Sequence, residues 1–453
     1  MLIMVMRLRE EQPLVTVVEN AHLPIYTIHF PALAVCPFNK INWLRYGAAE
    51  EKYLPKNATQ EERDTFYHLL IAMEHMTFSY LMPLNEFVKR RSLPPLLRDI
   101  PLYDVAQFMS FRCNELFVWC EFDSSKYDCC KIFIRERTDM GICLVFNSLV
   151  SEDSKIIQLT DPTYPWRVRD SGDEAGLSFM LKYNESYVRP KSNTPFRFSL
   201  MIKQAQDWSQ QLYHNIYPNT HADVMITPIL TETSSEARLI RPEIRNCLFW
   251  NEKSSKYGRL EGFPYNKLNC LTKCQHRYLM DYCNCSMSLF FPEIREHKKD
   301  ECRISDLACL HKNWQNFNYL KGPQQDQYMN EIGRGMICDC IENCESLIFL
   351  VTVNTQPMPS LPINTSVPEI YVHVYYNRKT LTKYLARLEY TFLDMAAYIG
   401  GVFGLFLGAS ALSFVEILYA TIRMLLILVI KKFTSFLRLR QVHIIPKINV
   451  IKE

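Results

Sequence analysis

An apolar run near the C-terminus is the strongest hydrophobic signal in this chain. Residues 395–415 form a stretch of 21 residues without a charge. About 20 apolar residues, rising about 1.5 Å each, cross a hydrocarbon layer of about 30 Å, so the run predicts a membrane span. The apolar sequence continues past Glu416 and Arg423 to Ile430, which makes 36 residues from Met395. A single helix of that length would measure about 54 Å. We therefore expect the segment to be tilted, broken or extended into the cytoplasm.

Small residues recur every three or four positions along this run. In a straight helix they would share one narrow face, with Gly400 beside it: Ala397, Gly401, Gly404, Gly408 and Ala411. Such a stripe lets backbones approach closely, either against another helix or around a pore. The residues alone favour a packing seam over a pore. Glu416 is the second unusual feature, because an ionisable residue at membrane depth normally faces protein or water.

The rest of the chain alternates short strand and helix patterns. β-branched or alternating runs predict strands at 15–18, 25–28, 143–147, 196–202 and 371–376. Apolar residues at helical spacing predict helices at 61–80 and 270–282, with a weaker one at 324–333. Prolines interrupt 87–109, which predicts short helices or loops there.

Cysteines and sequons place most of the chain outside the cell. All 16 cysteines lie between Cys36 and Cys344, before the apolar run, which indicates an oxidising compartment. Glycosylation sequons on the same side begin at Asn57, Asn184 and Asn364. Four basic residues between 431 and 440 follow the run, as at a cytoplasmic end. We expect an extracellular domain at 7–388, a membrane segment at 389–430 and a cytoplasmic tail at 431–453.

We do not expect the first residues of this sequence to act as a signal peptide. Residues 1–6 are apolar, but six residues cannot span a bilayer and no small-residue cleavage site follows them. We expect them to be the last turns of a longer membrane helix. The net charge of +3 and the lack of a basic patch interleaved with aromatics argue against nucleic acid as a partner.

Ten of the cysteines lie within residues 247–344. They are Cys247, Cys270, Cys274, Cys283, Cys285, Cys302, Cys309, Cys338, Cys340 and Cys344. Structural zinc is an alternative, but it usually uses Cys-x2–4-Cys pairs, whereas two of these pairs are Cys-x-Cys. Disulfides are therefore favoured. The chain has no Gly-x-Ser-x-Gly, His-Glu-x-x-His or phosphate-loop motif, so no catalytic residue, cofactor or metal site is predicted, and an enzyme is not expected.

Four segments, in order, resemble the epithelial sodium channel/degenerin family, particularly its arthropod pickpocket branch. They are FPALAVC at 30–36, GICLVFN at 141–147, CDCIENC at 338–344, and GGVFGLFLGAS at 400–410 with Glu416. The resemblance implies an α+β membrane protein. It would have a large disulfide-rich extracellular domain, with a β-rich palm and β-ball and a helical finger and thumb (thumb at 247–350). A pore-lining second membrane helix would follow, and the first membrane helix would be largely missing.

The resemblance also implies a disulfide pairing. Cys36 would join Cys143, and five nested pairs would staple the thumb: Cys247–Cys344, Cys270–Cys340, Cys274–Cys338, Cys283–Cys309 and Cys285–Cys302. The family offers one further pair, Cys120 with Cys129 or Cys130. The pairing that involves Cys113 stays open.

The function implied is that of a subunit in a trimeric, amiloride-sensitive sodium channel of the plasma membrane, multi-pass in its intact form. Its partners would be sodium ions, the lipid bilayer and related subunits in a homo- or heterotrimer. The implied roles are a selectivity filter at Gly408, Ala409 and Ser410, a gating position at Ala397 and an inner charge at Glu416. Gly400, Gly401 and Gly404 would pack helices.

Two departures from the family keep alternatives open. The chain lacks the family's His-Gly gating motif, and Val402 stands where a Gln usually follows the paired glycines. The chain could therefore be a truncated, non-conducting or regulatory subunit. A single-span surface receptor or adhesion ectodomain is the alternative from a different class.

Overall fold

The computed structural model describes residues 13–89, 93–151, 153–172, 174–192, 194–208, 212–253, 256–292, 301–321, 335–358, 369–408 and 411–441. The chain divides into two compact units. The larger unit is Thr16–Arg387, and the smaller combines Met1–Val15 with Leu388–Glu453. The predicted helix at 324–333 and the apolar residues 1–6 lie outside the described residues.

The strands supply two sheets and a small two-stranded pair. They are β1 (Leu14–Pro24), β2 (Ala32–Pro37), β3 (Phe117–Phe122), β4 (Ser125–Tyr127), β5 (Phe133–Thr138), β6 (Gly141–Phe146), β7 (Leu177–Lys182), β8 (Phe198–Lys203), β9 (His214–Ile216), β10 (Thr220–Thr233), β11 (Cys247–Leu248), β12 (Glu342–Asn343), β13 (Ser346–Pro357), β14 (Glu369–Tyr376) and β15 (Thr380–Leu388).

The helices vary in length from four residues to 31. They are α1 (Tyr46–Tyr53), α2 (Gln60–Glu74), α3 (Leu84–Val88), α4 (Pro95–Arg98), α5 (Leu102–Met109), α6 (Cys113–Leu116), α7 (Cys129–Ile132), α8 (Ser154–Thr160), α9 (Pro242–Arg245), α10 (Lys267–Cys283), α11 (Leu307–Asn318), α12 (Phe392–Leu407) and α13 (Ala411–Gln441).

The larger sheet has the order β1-β15-β10-β14-β7-β3-β4, and β13 also pairs with β10. One edge of β10 pairs antiparallel with β13. Its other edge pairs in parallel with β14 and then with β15. The side chains of β10 alternate as the period of two requires: Ala222, Val224 and Ile226 are buried, whereas the residues between them are half-exposed.

The second sheet, β5-β6-β2-β8-β9, is antiparallel throughout and shares a core with the first. Phe30 lies between the two, with its ring 5.5 Å from Phe122 and 5.4 Å from Tyr376. All three side chains are buried. Aromatic pairs at these separations gain some energy beyond the apolar area that they bury, so this cluster contributes to the stability of the larger unit.

A separate core joins the helices of the larger unit. A capping box between Thr59 and Glu62 starts α2, whose Phe66, Leu69 and Leu70 are buried at helical spacing. The core includes side chains of α10 and α11. The prediction of a helix at 61–80 is therefore confirmed for its first part, and the helix ends at Glu74.

The predicted strand at 25–28 is wrong. Residues Ile25–Thr27 form a 3₁₀ turn, in which the amide of Ile28 donates to the carbonyl of Ile25 at 3.1 Å. β1 ends at Pro24, which has no N–H for a sheet ladder. The other strand predictions fall within or across β1, β6, β8 and β14, and the helix prediction at 270–282 falls within α10.

Candidate functional site

The apolar segment near the C-terminus is two helices and not one. α12 ends at Leu407, Gly408 follows with φ of +61°, and α13 begins at Ala411. A positive φ is easy for glycine and costly for residues with a Cβ, so Gly408 ends α12. A break is one of the three outcomes that the excess length of the apolar segment predicts. Ala409 and Ser410 lie outside the described residues.

A capping box starts α12. The hydroxyl of Thr391 donates to the carboxylate of Asp394 at 2.7 Å, and the Thr391 amide donates to the same carboxylate oxygen at 2.9 Å. The Asp394 amide donates back to the Thr391 hydroxyl at 3.2 Å. This reciprocal pair fixes where the helix begins. The 16 residues of α12 are therefore bounded by a polar cap at one end and a glycine at the other.

The predicted gating and packing residues lie on α12 with open space around them. Ala397, Gly400, Gly401 and Gly404 are exposed in the single chain. A Cβ added at Gly400 or Gly401 would meet no atom within 4 Å. Among the described residues no atom therefore covers Gly400 or Gly401, and the close approach that they allow is available to another chain.

α13 contains the candidate membrane span, Leu412–Lys432, whose length and apolar composition suffice to cross a bilayer. The shorter apolar helix Leu393–Phe406 precedes it. Glu416 is exposed on α13, and apolar neighbours such as Leu418 are 61 % exposed. Exposed apolar helices are stable only when lipid or other helices cover them. Ala411 begins α13, so it lies on a different helix from the other small residues of the stripe.

Eight disulfides stabilise the larger unit and include all 16 cysteines. Cys36 on β2 joins Cys143 on the neighbouring β6. The five nested pairs that the resemblance implies are present: Cys247–Cys344, Cys270–Cys340, Cys274–Cys338, Cys283–Cys309 and Cys285–Cys302. Cys270 and Cys274 are one turn apart on α10, so both face the segment that carries Cys338 and Cys340.

The pairing left open by the sequence is settled as Cys113–Cys130 and Cys120–Cys129. Cys113 begins α6, and Cys129 and Cys130 begin α7. Of the two possibilities for Cys120, the structure therefore selects Cys129. Adjacent cysteines can reach two different partners here because both lie in the same short helix, α7.

Two of the three predicted glycosylation sites lie among the described residues. Asn57 and Asn184 are exposed. The side-chain oxygen of Asn184 accepts from the amide of Ser186 at 3.0 Å and from its hydroxyl at 2.7 Å. Asn364 lies outside the described residues. Exposure is compatible with a glycan at the first two, which stay predictions.

Two features of the larger unit gave no signal in the sequence. A cavity of about 1150 Å³ lies between the second sheet and the segment before α10, and its lining includes Tyr103, Arg135, Arg137, Trp208, Glu261 and Tyr265. These residues come from distant parts of the chain. No local pattern marks them, because only the tertiary fold brings them together.

The second feature is a buried group of charges beside Phe38. Burial lowers the pKa of Lys40 to about 7, and burial raises the pKa of Glu74. The indole N–H of Trp43 donates to the Glu74 carboxylate at 3.1 Å. The guanidinium of Arg197 lies 3.3 Å from the Phe38 ring centroid. Isolated lysine and glutamate in the sequence carry no sign of burial, so this group also escaped prediction.

Comparison with known proteins identifies the family. The family model described as "Amiloride-sensitive sodium channel" matches residues 1–420. The chain belongs to this family. It is 37 % identical to "Pickpocket protein 19" of Drosophila melanogaster over 91 % of this chain and 80 % of the relative. The resemblance to the sodium channel/degenerin family and its pickpocket branch is thereby confirmed.

More distant relatives carry other names from the same family. The chain is 23 % identical to "Sodium channel protein Nach" of Drosophila ananassae, over 89 % of this chain and 74 % of the relative. It is 21 % identical to "Degenerin del-1" of Caenorhabditis elegans, over 70 % of this chain and 46 % of the relative. Members of this family are membrane ion channels with a large extracellular domain, and ion channels are not enzymes.

Proposed function

We propose that the chain is a subunit of a trimeric, amiloride-sensitive sodium channel whose pore is lined by α12 and the start of α13. The observation that carries the proposal is the break at Gly408 between two apolar helices. Non-helical backbone is tolerated at membrane depth only where it lines water or is buried in protein. Three copies of such a break would offer a ring of backbone carbonyls to a partly dehydrated cation.

The proposed roles follow from this placement. Gly408, Ala409 and Ser410 form the selectivity filter, Ala397 is the gating position, and Gly400, Gly401 and Gly404 pack helix against helix. Glu416, five residues after Ala411, adds negative potential below the filter. An ionisable group within the span is expected to face protein or water, and a cation path supplies the water.

The larger unit is the proposed extracellular domain at the plasma membrane. In this proposal the larger sheet is the palm and the second sheet the β-ball, while the helical core combines finger and thumb. Disulfides persist in oxidising compartments, and eight of them in one unit support an extracellular position. Asn57, Asn184 and Asn364 are the proposed glycan sites, and residues 431–453 form the cytoplasmic tail.

A thiol placed at the filter tests the proposal. All native cysteines are in disulfides, so Ser410→Cys adds the reactive thiol. The full chain is expressed in cells, and sodium and potassium permeabilities are measured with and without amiloride. A membrane-impermeant thiol reagent is then applied from outside. We expect amiloride block of the parent current and a changed permeability ratio or thiol block in Ser410→Cys.

Leu425→Cys is the matched control, because Leu425 is exposed on α13 beyond Glu416. It should keep the parent permeability ratio and resist the external reagent. Cross-linking of the purified protein should give a ladder that ends at three copies. Should the full chain alone carry no current, Ser410→Cys is co-expressed with a conducting family member, where thiol block of the mixed current shows a contributing subunit. Normal trimers with no effect of Ser410→Cys in either setting would reject the pore assignment.

A further inference from the structure

The cavity beside the second sheet is large enough for a small organic molecule. Its volume of about 1150 Å³ compares with about 300–1000 Å³ for most small-ligand pockets. Part of its lining comes from β5, the edge strand of the second sheet, and part from residues 261–266, which lead into α10. A molecule in this cavity would therefore contact two parts of the larger unit that are far apart in the sequence.

Two buried aromatic side chains give the cavity an apolar surface. Trp208 and Tyr265 line it and are both buried. The indole N–H of Trp208 donates to the carbonyl of Phe290 at 3.1 Å. The Tyr265 hydroxyl donates to the carbonyl of Ile341 at 2.7 Å and accepts from the Ile341 amide at 3.0 Å. Since the polar atoms of both side chains are already paired, only the rings are left to contact a ligand.

Arg135 adds a cation to this surface. It lines the cavity and is half-buried. Within the described part of the chain its guanidinium makes no hydrogen bond or ion pair, and only its carbonyl accepts, from the Ser151 hydroxyl at 3.0 Å. The neighbouring Glu136 is not its partner, because successive side chains of a strand point to opposite faces and the Glu136 carboxylate accepts from the buried ammonium of Lys203. The Arg135 guanidinium is therefore left for an anion.

A second arginine lies on the same face of β5. Arg137 is two residues from Arg135, so both side chains leave the strand on one side. The guanidinium carbon of Arg137 is 4.8 Å from the ring centroid of Tyr103, and the group donates to the carbonyl of Ser288 at 3.4 Å. Both Arg137 and Tyr103 line the cavity. This face of the strand therefore carries two positive charges beside an aromatic ring.

The other charged residues that line the cavity are exposed. They are Asp153, Lys155, Glu261 and Glu345. Water and salt screen exposed charges, so these four groups contribute little to the binding of a ligand inside the cavity. With Glu136 already paired, the half-buried arginines determine which charge the cavity prefers, and that charge is negative.

We propose that this cavity binds a small organic carboxylate with an aromatic body. A guanidinium presents two parallel N–H donors that match the two oxygens of a carboxylate, so Arg135 binds the charged group of the ligand. Trp208 and Tyr265 contact its ring. An apolar pocket with a few placed polar groups is the general pattern of small-molecule sites. A neutral or cationic molecule would leave Arg135 without an anion.

Photolabelling of the purified full chain tests the proposal. The probe is 4-benzoylbenzoate, an aromatic carboxylate whose ketone labels nearby C–H bonds on irradiation, and 4-benzoylbenzamide is its neutral match. The chain is irradiated in detergent at neutral pH over a range of probe concentrations, and the labelled peptides are identified after reduction of the disulfides. We expect saturable labelling by the carboxylate in peptides that contain Tyr103, Trp208 or residues 261–266. The half-saturation concentration of the amide should be higher by about 10-fold or more.

Arg135→Gln removes the charge and keeps a polar side chain. It should raise the half-saturation concentration of the carboxylate by about 10-fold or more and leave that of the amide unchanged. Lys155→Gln is the matched control, because it removes an exposed charge from the lining of the same cavity. It should change the half-saturation concentration by less than about 3-fold.

Three results would overturn the proposal. They are equal labelling of the parent by the carboxylate and the amide, equal half-saturation in the parent and Arg135→Gln, and labelling confined to peptides outside the cavity. Peptide mapping of the eight disulfides without reduction checks that each variant has folded. Because labelling is read without current, the outcome is independent of whether the chain conducts.

Discussion

The two units of this molecule obtain their stability in opposite ways. The larger unit buries its aromatic core between two sheets and closes its loops with disulfides. The helices α12 and α13 carry apolar side chains that remain exposed in the single chain, such as Leu405 at 81 %. The packed core and disulfides of the larger unit therefore lie within one chain. The membrane helices need lipid and other copies to cover their surface.

This difference predicts which property a mutation should change in each unit. In the larger unit a change should alter folding and delivery to the surface, because its interactions lie within one chain. On α12 the same kind of change should alter assembly or gating, because the surface it touches belongs to another copy. The variants below test whether effects on folding and effects on assembly or gating separate in this way.

The largest effect is expected in the thumb ladder. Cys274→Ser leaves Cys338 without its partner, and loss of a native disulfide costs about 2–5 kcal/mol. We expect a large loss of surface protein, measured by surface biotinylation, with unchanged single-channel conductance in the molecules that arrive. The double variant Cys120→Ala/Cys129→Ala opens a loop of only 9 residues and should cost less. Normal delivery of Cys274→Ser would show that the ladder does not stabilise the unit.

The next effect is expected at the gating position. If Ala397 packs tightly in a closed trimer, Ala397→Phe overpacks that state by about 1–3 kcal/mol. The closed–open balance then shifts toward open by about one to two decades. The measurement is resting sodium current per surface channel. Ala396→Phe, on the adjacent exposed position, is the control, and an equal current from both variants would reject a special role for Ala397.

The sequence predicted the covalent framework better than the membrane geometry. The nested pairs could be predicted because the resemblance to the family implies them, and β6 and α10 because local sequence patterns mark them. The break at Gly408 could not be placed, since the run from Met395 is uniformly apolar and many glycines compete to end a helix. The cavity beside the second sheet and the burial of the Lys40 Nζ depend on packing between distant segments, which no single window of sequence contains.

Two glycines of the membrane segment provide a smaller, matched test. At Gly408 the φ of +61° makes Gly408→Ala unfavourable by about 1–2 kcal/mol. At Gly400, inside α12, Gly400→Ala gains up to about 1 kcal/mol of helix propensity and meets no atom of its own chain. We expect Gly408→Ala to reduce current strongly. If Gly400→Ala lowers the trimer fraction in cross-linking, then another copy packs on the stripe. If neither variant changes the current or the trimer fraction, the segment acts only as a membrane anchor.

The last effect is a dependence of stability on pH, and it concerns Lys40 in the larger unit, whose Nζ is buried although the residue as a whole is half-buried. Burial lowers its folded pKa to about 7, while the unfolded value stays near 10.5. Between these values the unfolded chain binds more protons, so stability rises with pH, by about 1 kcal/mol per pH unit above pH 7. Nearby charges of Asp139, Arg197 and Glu74 act on the same group.

Lys40→Met removes the charge and nearly keeps the shape of the side chain. The Tm of the parent chain should rise between pH 6.5 and pH 9, and in Lys40→Met most of this rise should be lost. At pH 7 the variant should be more stable than the parent. Lys379→Met is the control, because Lys379 is 73 % exposed and pairs with Asp170 at the surface. A surface pair contributes about 0–1 kcal/mol and should leave the slope unchanged. An unchanged slope in Lys40→Met would mean that Lys40 is hydrated, and that the interior of the larger unit is less dry than its disulfides and packed core imply.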